Sequence, residues 1–167
     1  MKMTTSLLTT LLLLGFILNV SAQTNDLEHL QPLTGHWAGT GWIRMPDGKV
    51  EKFNQTEDIE MKLDDNILVI NGIGKNPETN ELAFEAFGII YKNAAGEYKM
   101  TAHTKEGQHT LANLSIEAGK FSWWFEVPSG TIKYDAEFTA NSWLEKGNFS
   151  PDGQQWYSFM EMTLTKQ

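Results

Sequence analysis

The sequence predicts an all-β fold, a closed antiparallel meander barrel of about ten strands behind one short N-terminal helix, and three observations predict it. From Gly35 onward the apolar residues recur with a period of two, the period of a half-buried strand. Clusters of Gly, Asn, Asp and Pro interrupt that pattern every 8 residues or so, at intervals up to about 15, as in sandwiches and barrels. Every link between the alternating stretches is also too short for the crossover that parallel strands need, which takes roughly a dozen residues. A meander leaves two open edges unless it closes, and closure removes that liability. A flattened sandwich is the second choice.

Taken in order, the chain begins with Lys2 and an apolar block from Leu7 to Val20 that ends in "VSAQ". A basic start, an apolar run and small residues at Val20 and Ala22 make a secretory signal peptide, with cleavage expected after Ala22. Residues 1–22 would then be removed, and residues 23–167 would form a single barrel domain exported to a periplasm or beyond. The apolar block falls short of the roughly 20 residues a permanent span requires, and no cysteine follows it to carry a lipid. The stretch "NDLEHLQPLTG" comes next, with Asn25 or Asp26 as a cap, Leu27 and Leu30 on one face, and Pro32 and Gly35 to end the turn.

Ten strands follow, at 35–44, 49–63, 66–75, 82–92, 96–104, 108–117, 120–127, 130–140, 142–150 and 154–166. The turns between them have specific chemistry: "MPDGK", "LDDN", "KNPETNE", "KNAAGE", "KEGQ", "EAGK", "VPSG" and "SPDGQ". Gly, Asn and Asp accept the positive φ angles of tight hairpins, and Pro presets the first turn residue. The "ING" at Ile70 to Gly72 is a competing hairpin signal, set aside because the apolar pattern continues through Ile73.

Composition narrows the function. There are no cysteines, so the fold depends on its core even in an oxidising compartment. Loss of Lys2 with the signal shifts the formal charge from −8 to −9, and Arg44 is the sole arginine. So acidic a chain is a poor partner for nucleic acid or anionic lipid, which reward clustered Lys and Arg. No stable membrane insertion is expected, and the state is a monomer or homodimer. No Gly-x-Ser-x-Gly elbow, zinc helix or other enzyme motif is present.

The densest motif is "LTGHWAGTGW", residues 33–42. A dinucleotide fingerprint would need a glycine where Arg44 stands, and a phosphate loop would need Gly-Lys-Ser/Thr, so the nucleotide reading fails. Read as a strand, Gly35, Trp37, Gly39 and Gly41 share one face, where glycines let a strand coil strongly. The segment resembles the opening of small calycin-like barrels that include the nitrobindins, with a pattern near Gly-x-Trp-x-Gly-x-Gly. "AFGIIYKNAAGEY" and "WYSFMEMTLTK" resemble a family of small secreted, lipocalin-like bacterial barrels. These resemblances imply a barrel that holds a ligand, and the nitrobindin likeness implies heme held by a histidine on a strand near the C-terminus. Residues 154–166 contain no histidine, so heme is disfavoured and no cofactor is assigned.

The expected function is the binding of a small, largely apolar or aromatic molecule in the interior. Candidate ligand-binding residues are Trp37, Trp42, Glu85, His103, His109, Trp124, Glu126 and Tyr157. Trp124 with Glu126 would make an apolar wall carrying one carboxylate. His103 and His109 flank "TKEG" and can approach across a hairpin, with Glu106 between them; zinc is one reading, but exposed hairpin residues are the preferred one, and no metal is assigned. The alternative function is an isomerase, cyclase or hydro-lyase that pairs His103 or His109 with Glu85 or Glu126 as acid and base. A heme-binding barrel is the third reading.

Overall fold

The computed structural model describes residues 27–167. The predicted signal peptide and the caps Asn25 and Asp26 lie outside the described residues. A 3-10 helix, Glu28–Leu33, precedes ten strands: β1 (Gly35–Arg44), β2 (Val50–Lys62), β3 (Ile67–Lys75), β4 (Leu82–Lys92), β5 (Tyr98–Thr104), β6 (His109–Glu117), β7 (Lys120–Val127), β8 (Gly130–Phe138), β9 (Ser142–Ser150) and β10 (Tyr157–Lys166). Each strand pairs antiparallel with its neighbour in sequence, and β1 pairs with β10 from Trp37 opposite Lys166 to Ile43 opposite Met160. The meander is therefore a closed barrel.

The turns account for the small differences in strand limits. The Asp152 carboxylate accepts the backbone N–H groups of Gln154 and Gln155 at 2.8 and 3.0 Å, so that turn extends further and β10 starts at Tyr157. The Thr139 hydroxyl accepts the N–H groups of Asn141 and Ser142, which ends β8 at Phe138. Pro32 lies inside the helix rather than after it. In so short a 3-10 segment, one missing donor is a minor loss.

Alternation assigns the interior. Trp37, Phe53, Ile59, Leu68, Ile70, Gly88, Ile90, Met100, Ala112, Leu114, Phe121, Ala136, Phe138, Trp143, Met162 and Leu164 are buried and lie on the inward register, which the half-buried Gly39 and Gly41 share. At the end where β1 starts, Leu27, Leu30 and Leu33 of the helical segment join Trp37 in the same core. The Trp37 indole N–H donates to the Leu33 carbonyl at 2.6 Å, and Lys166 Nζ donates to the Pro32 carbonyl at 3.0 Å. These two bonds tie the helix across that mouth of the barrel.

One register irregularity matters for the interior. Between Ser158 and Met160 the β9–β10 pairing shifts, which puts Phe159 in the bulge. Simple alternation would group Ser158 with Met160 and Met162. Instead Ser158 pairs with the outward Asn148, while the Phe159 ring meets Tyr134 edge-on at 5.7 Å. A bulge of this kind re-aims side chains that strict period-two counting would misplace.

Candidate functional site

The middle of the barrel holds a cavity of about 140 Å³. Its walls are mainly apolar: Ile70, Phe84, Met100, Phe121, Trp123 and Met162 face it. One side is an aromatic stack in which Trp123 lies parallel to Tyr134, ring centroids 3.9 Å apart at 7°, and next to Phe125 at 5.9 Å. The cross-strand pairs Trp123–Tyr134 and Phe125–Ile132 place these rings side by side, as adjacent strands require.

Small residues make the space. Gly72 and Gly88 face the cavity beside Ala86 and Ala102. A Cβ on Gly72 would lie 2.7 Å from Glu57 Oε2, so the Glu57 carboxyl rests against bare backbone there. Glycine in a strand marks such a close approach.

Into this apolar space project four polar side chains, each more than nine-tenths buried: Gln55, Glu57, Trp143 and Glu145. Gln55 Nε2 donates to Glu57 Oε1 at 2.6 Å, and Trp123 Nε1 donates to Glu145 Oε1 at 3.2 Å. Two buried polar atoms lining the cavity, Gln55 Oε1 and Glu57 Oε2, have no partner, and Trp143 Nε1 makes no well-formed hydrogen bond although its N–H interacts with the Glu145 carboxyl. Leaving such groups unpaired costs roughly 1–3 kcal/mol each, so this is the part of the interior whose polarity the fold itself does not use.

The electrostatics follow from burial. Loss of solvent pushes the Glu57 carboxyl up to about 8, with the Glu145 and Asp58 charges adding to the rise and the Gln55 bond opposing it. Desolvation likewise pushes Glu145 up to about 7; the Trp123 and Trp143 indoles oppose the shift and Asp135 reinforces it. Tyr134 is also raised, by burial first and by Glu145 second. Two carboxyl groups that titrate near neutrality in one cavity can each hold or release a proton there, and perturbed groups of this kind concentrate at functional sites.

Most of the residues nominated from the sequence are elsewhere. Trp37 is the one buried in the interior, where it packs edge-on against Trp143 at 6.0 Å as part of the filled end of the core. Trp42, Glu85, His103, His109, Trp124 and Glu126 occupy the opposite parity of their strands, on the outer face. Tyr157 is 51% exposed at the rim. His103 and His109 do meet across their hairpin, with ring centroids 5.2 Å apart, but on the outside of the barrel. Glu85 and His103 border one shallow external depression, whereas Glu126 is bonded to Thr131 on another hairpin. The four groups of the predicted acid–base set therefore share no interior cavity. Trp124 and Glu126 form no wall of the interior cavity, because the inward face of β7 belongs to Phe121, Trp123 and Phe125; Trp124 borders an open depression on the outer face instead.

Glu57 and Glu145 were missed, yet a signal for them exists. In β2 the inward parity reads Phe53, Gln55, Glu57, Ile59, and in β9 it reads Trp143, Glu145, Gly147, Phe149. A carboxylate in phase with bulky apolar residues is the mark of a buried polar group.

Among the described residues no three His, Cys, Asp or Glu side chains cluster to hold a metal ion, and no helix is long and apolar enough to cross a membrane. The described histidines, His29, His36, His103 and His109, all lie outside the interior; His36 is spent on Asp58 at 2.7 Å. A cavity of about 140 Å³ is also near the size that accommodates benzene. The residues present do not fit a histidine-ligated heme.

No protein-family model matches the chain, and no curated protein matches its sequence. Solved structures do match its shape. Rv2717c from M. tuberculosis superposes with a TM-score of 0.65 at 12% identity, over 84% of this chain and 96% of that one. The S-type phycobiliprotein lyase CPES from Guillardia theta superposes with a TM-score of 0.58 at 11% identity, over 84% and 90%. Both likenesses establish the closed ten-strand antiparallel barrel, consistent with a calycin-like fold, and at these identities they speak to fold alone.

Proposed function

We propose that this chain is an exported barrel that binds a small, largely apolar or aromatic molecule in its interior. The observation that carries the reading is the cavity of about 140 Å³ walled by aromatic and aliphatic side chains, into which unpartnered buried polar atoms project. Concave, mostly apolar sites with a few convergent polar groups are the usual form of small-molecule pockets. The apolar walls supply affinity, and Gln55, Glu57 and Glu145 supply orientation. That one barrel of similar shape is named a phycobiliprotein lyase is compatible with a ligand-handling role. The test is a thermal-shift and Trp-fluorescence screen of single-ring aromatics, short branched aliphatics and larger isoprenoids. Stabilisation by compounds near the cavity's size is expected, and no response from any class would remove the reading.

A second reading has one specific observation in its favour. Glu57 and Glu145 are displaced to about 8 and about 7 within the same cavity, a separation that suits an acid and a base acting together. An isomerase or hydro-lyase built on these two carboxyls replaces the histidine-based version. Product formation from a bound ligand, lost in Glu57→Gln and Glu145→Gln alike, would support it. Export is tested by N-terminal sequencing of the protein from the extracytoplasmic fraction, where a start at Gln23 is expected.

A further inference from the structure

We propose that the cavity is a site for a small organic cation, a protonated amine on a compact apolar body, with Glu57, Gln55 and Glu145 receiving the ammonium and the aromatic wall receiving the body. This rests on the ligand-binding reading above and narrows it to one chemical class.

The polar inventory points that way. Of the unpartnered atoms, Gln55 Oε1 is an acceptor and Glu57 Oε2 becomes one when its carboxyl gives up its proton, on residues only 3% and 6% exposed. A ligand that completes them must bring N–H or O–H donors, and an ammonium brings three. Glu57 and Glu145 have no ion-pair partner among the described residues. The one lysine on the inward register at β10, Lys166, is held at the helix end by the Pro32 carbonyl and the face of Trp37, 5.3 Å from its ring. A buried carboxylate pair without a cation is costly, and an incoming cation relieves that cost.

The rest of the cavity fits the same guest. Trp123, Phe84 and Phe121 offer ring faces and edges, which attract cations as well as apolar groups. At about 140 Å³ the space admits a body of one ring or a short branched chain. A divalent metal is a poorer fit, since Ca²⁺ takes about six to eight oxygens and fewer face the cavity. The acidic chain, with 21 Asp and Glu against 13 Lys and Arg, attracts cations and repels anions at long range.

Proton linkage gives the inference a signature. Because burial leaves Glu57 largely and Glu145 partly protonated near neutrality, an ammonium that binds beside them displaces a proton to solvent. The other groups that face or flank the pair are Tyr134 of β8, Tyr98 of β5 and Lys166 of β10 on the inward side, with Asp58 of β2 and Asp135 of β8 outside. Tyr134 is raised further from the working range, and the two aspartates act from outside through their coulombic effect on Glu57 and Glu145. β1, β3, β6 and β7 present no titratable side chain on the inward register, and Lys92, which ends β4 on that register opposite Tyr98, is exposed with its ammonium 5.5 Å from the Tyr98 ring.

The experiment is isothermal titration calorimetry of the purified protein with benzylammonium, benzyl alcohol and benzoate, which share one body and differ in the polar head. Titrations at pH 6 and pH 8.5, each in two buffers of different ionisation enthalpy, count the protons released. Benzylammonium is expected to bind about tenfold more tightly than benzyl alcohol at pH 8.5, with affinity rising about tenfold from pH 6 and a net proton release at pH 7. Glu57→Gln should erase the preference for the cation while benzyl alcohol still binds, which also shows the cavity intact. Equal or tighter binding of benzyl alcohol, or a cation preference that survives in both Glu57→Gln and Glu145→Gln, overturns the proposal and leaves the ligand-binding reading standing. Failure of all three probes overturns the proposal too, and the broader screen then decides the parent reading separately.

Discussion

The interior of this barrel has two regions built from the same strands to opposite ends. Around the mouth where β1 starts, Trp37, Leu68, Ile90, Leu164 and the helix leucines Leu30 and Leu33 fill the space completely, and the one polar atom among them, the Trp37 indole nitrogen, is bonded. A few residues along the same strands, small side chains replace large ones, a cavity opens, and Gln55 and Glu57 carry polar atoms with no partner. Close packing stabilises a fold, whereas buried unpaired polarity detracts from it. The contrast teaches where to look for function: the chain keeps a costly arrangement only in the region that a ligand could complete.

The sharpest way to break the contrast is to truncate the packed region. Trp37→Ala removes a fully buried indole, its contact with Trp143 and its bond to Leu33. The expected cost is about 4 kcal/mol, read as a fall in Tm of roughly 10 °C or more. An equal loss from truncating the cavity-lining Phe84 would erase the distinction between the regions.

Glycines sharpen it further. A Cβ on Gly39 would press on the Thr163 carbonyl and lie 2.9 Å from Leu164 Cα, both backbone atoms that cannot move aside. Gly39→Ala should therefore cost about 3 kcal/mol. A Cβ on Gly72 would meet the end of the Glu57 side chain, which can swing away. Gly72→Ala should cost only about 1 kcal/mol while weakening benzylammonium binding several-fold, because the carboxyl is displaced. Thermal unfolding and calorimetry of the two variants separate a structural glycine from one that shapes the site.

These positions also show how much could be read from the chain. Period-two alternation and turn chemistry located all ten strands and the closure, because in a meander each hairpin is a local event. "LTGHWAGTGW" disclosed the glycine face beside Trp37, since one strand's parity is visible in its own residues. The site was far less legible. Parity within a strand says which residues share a face and leaves open which face is inside; where both faces carried bulk, as in β4 and β10, the choice depended on neighbours across the sheet. Histidines and exposed aromatics drew attention as chemically distinctive, yet β5, β6 and β7 turn His103, His109 and Trp124 outward. Glu57 and Glu145, ordinary in composition, become unusual only through burial. The Phe159 bulge arises from pairing with β9, and nothing local announces it.

The carboxyls give a pH test of the same contrast. Below about pH 4.5, the ordinary value, folded and unfolded chains both hold Glu57 and Glu145 protonated, and burial costs nothing in charge. From there to about 8 the folded state binds more protons than the unfolded one, so stability falls as pH rises and then levels off. Glu57→Gln removes its share of that slope. The variant should match the wild type near pH 4 and exceed it by about 2 kcal/mol at pH 8.5; parallel Tm-against-pH curves would mean that Glu57 is not buried as described.

The smallest effect is expected on the outer face, and it is informative because sequence logic favoured that face. His103 and His109 sit side by side at 5.2 Å but exposed, next to a turn whose Glu106 lies 3.9 Å from Lys105. Solvent screens such groups, and their removal opens no cavity and strands no buried partner. The double variant His103→Ala/His109→Ala should change stability by less than about 0.5 kcal/mol and leave the pH dependence of amine binding unaltered, since the protons it releases come from Glu57 and Glu145. If the double variant instead lost ligand affinity, the binding surface would lie outside the barrel, and the unpartnered atoms within would have to be read as a cost the fold bears for some other reason.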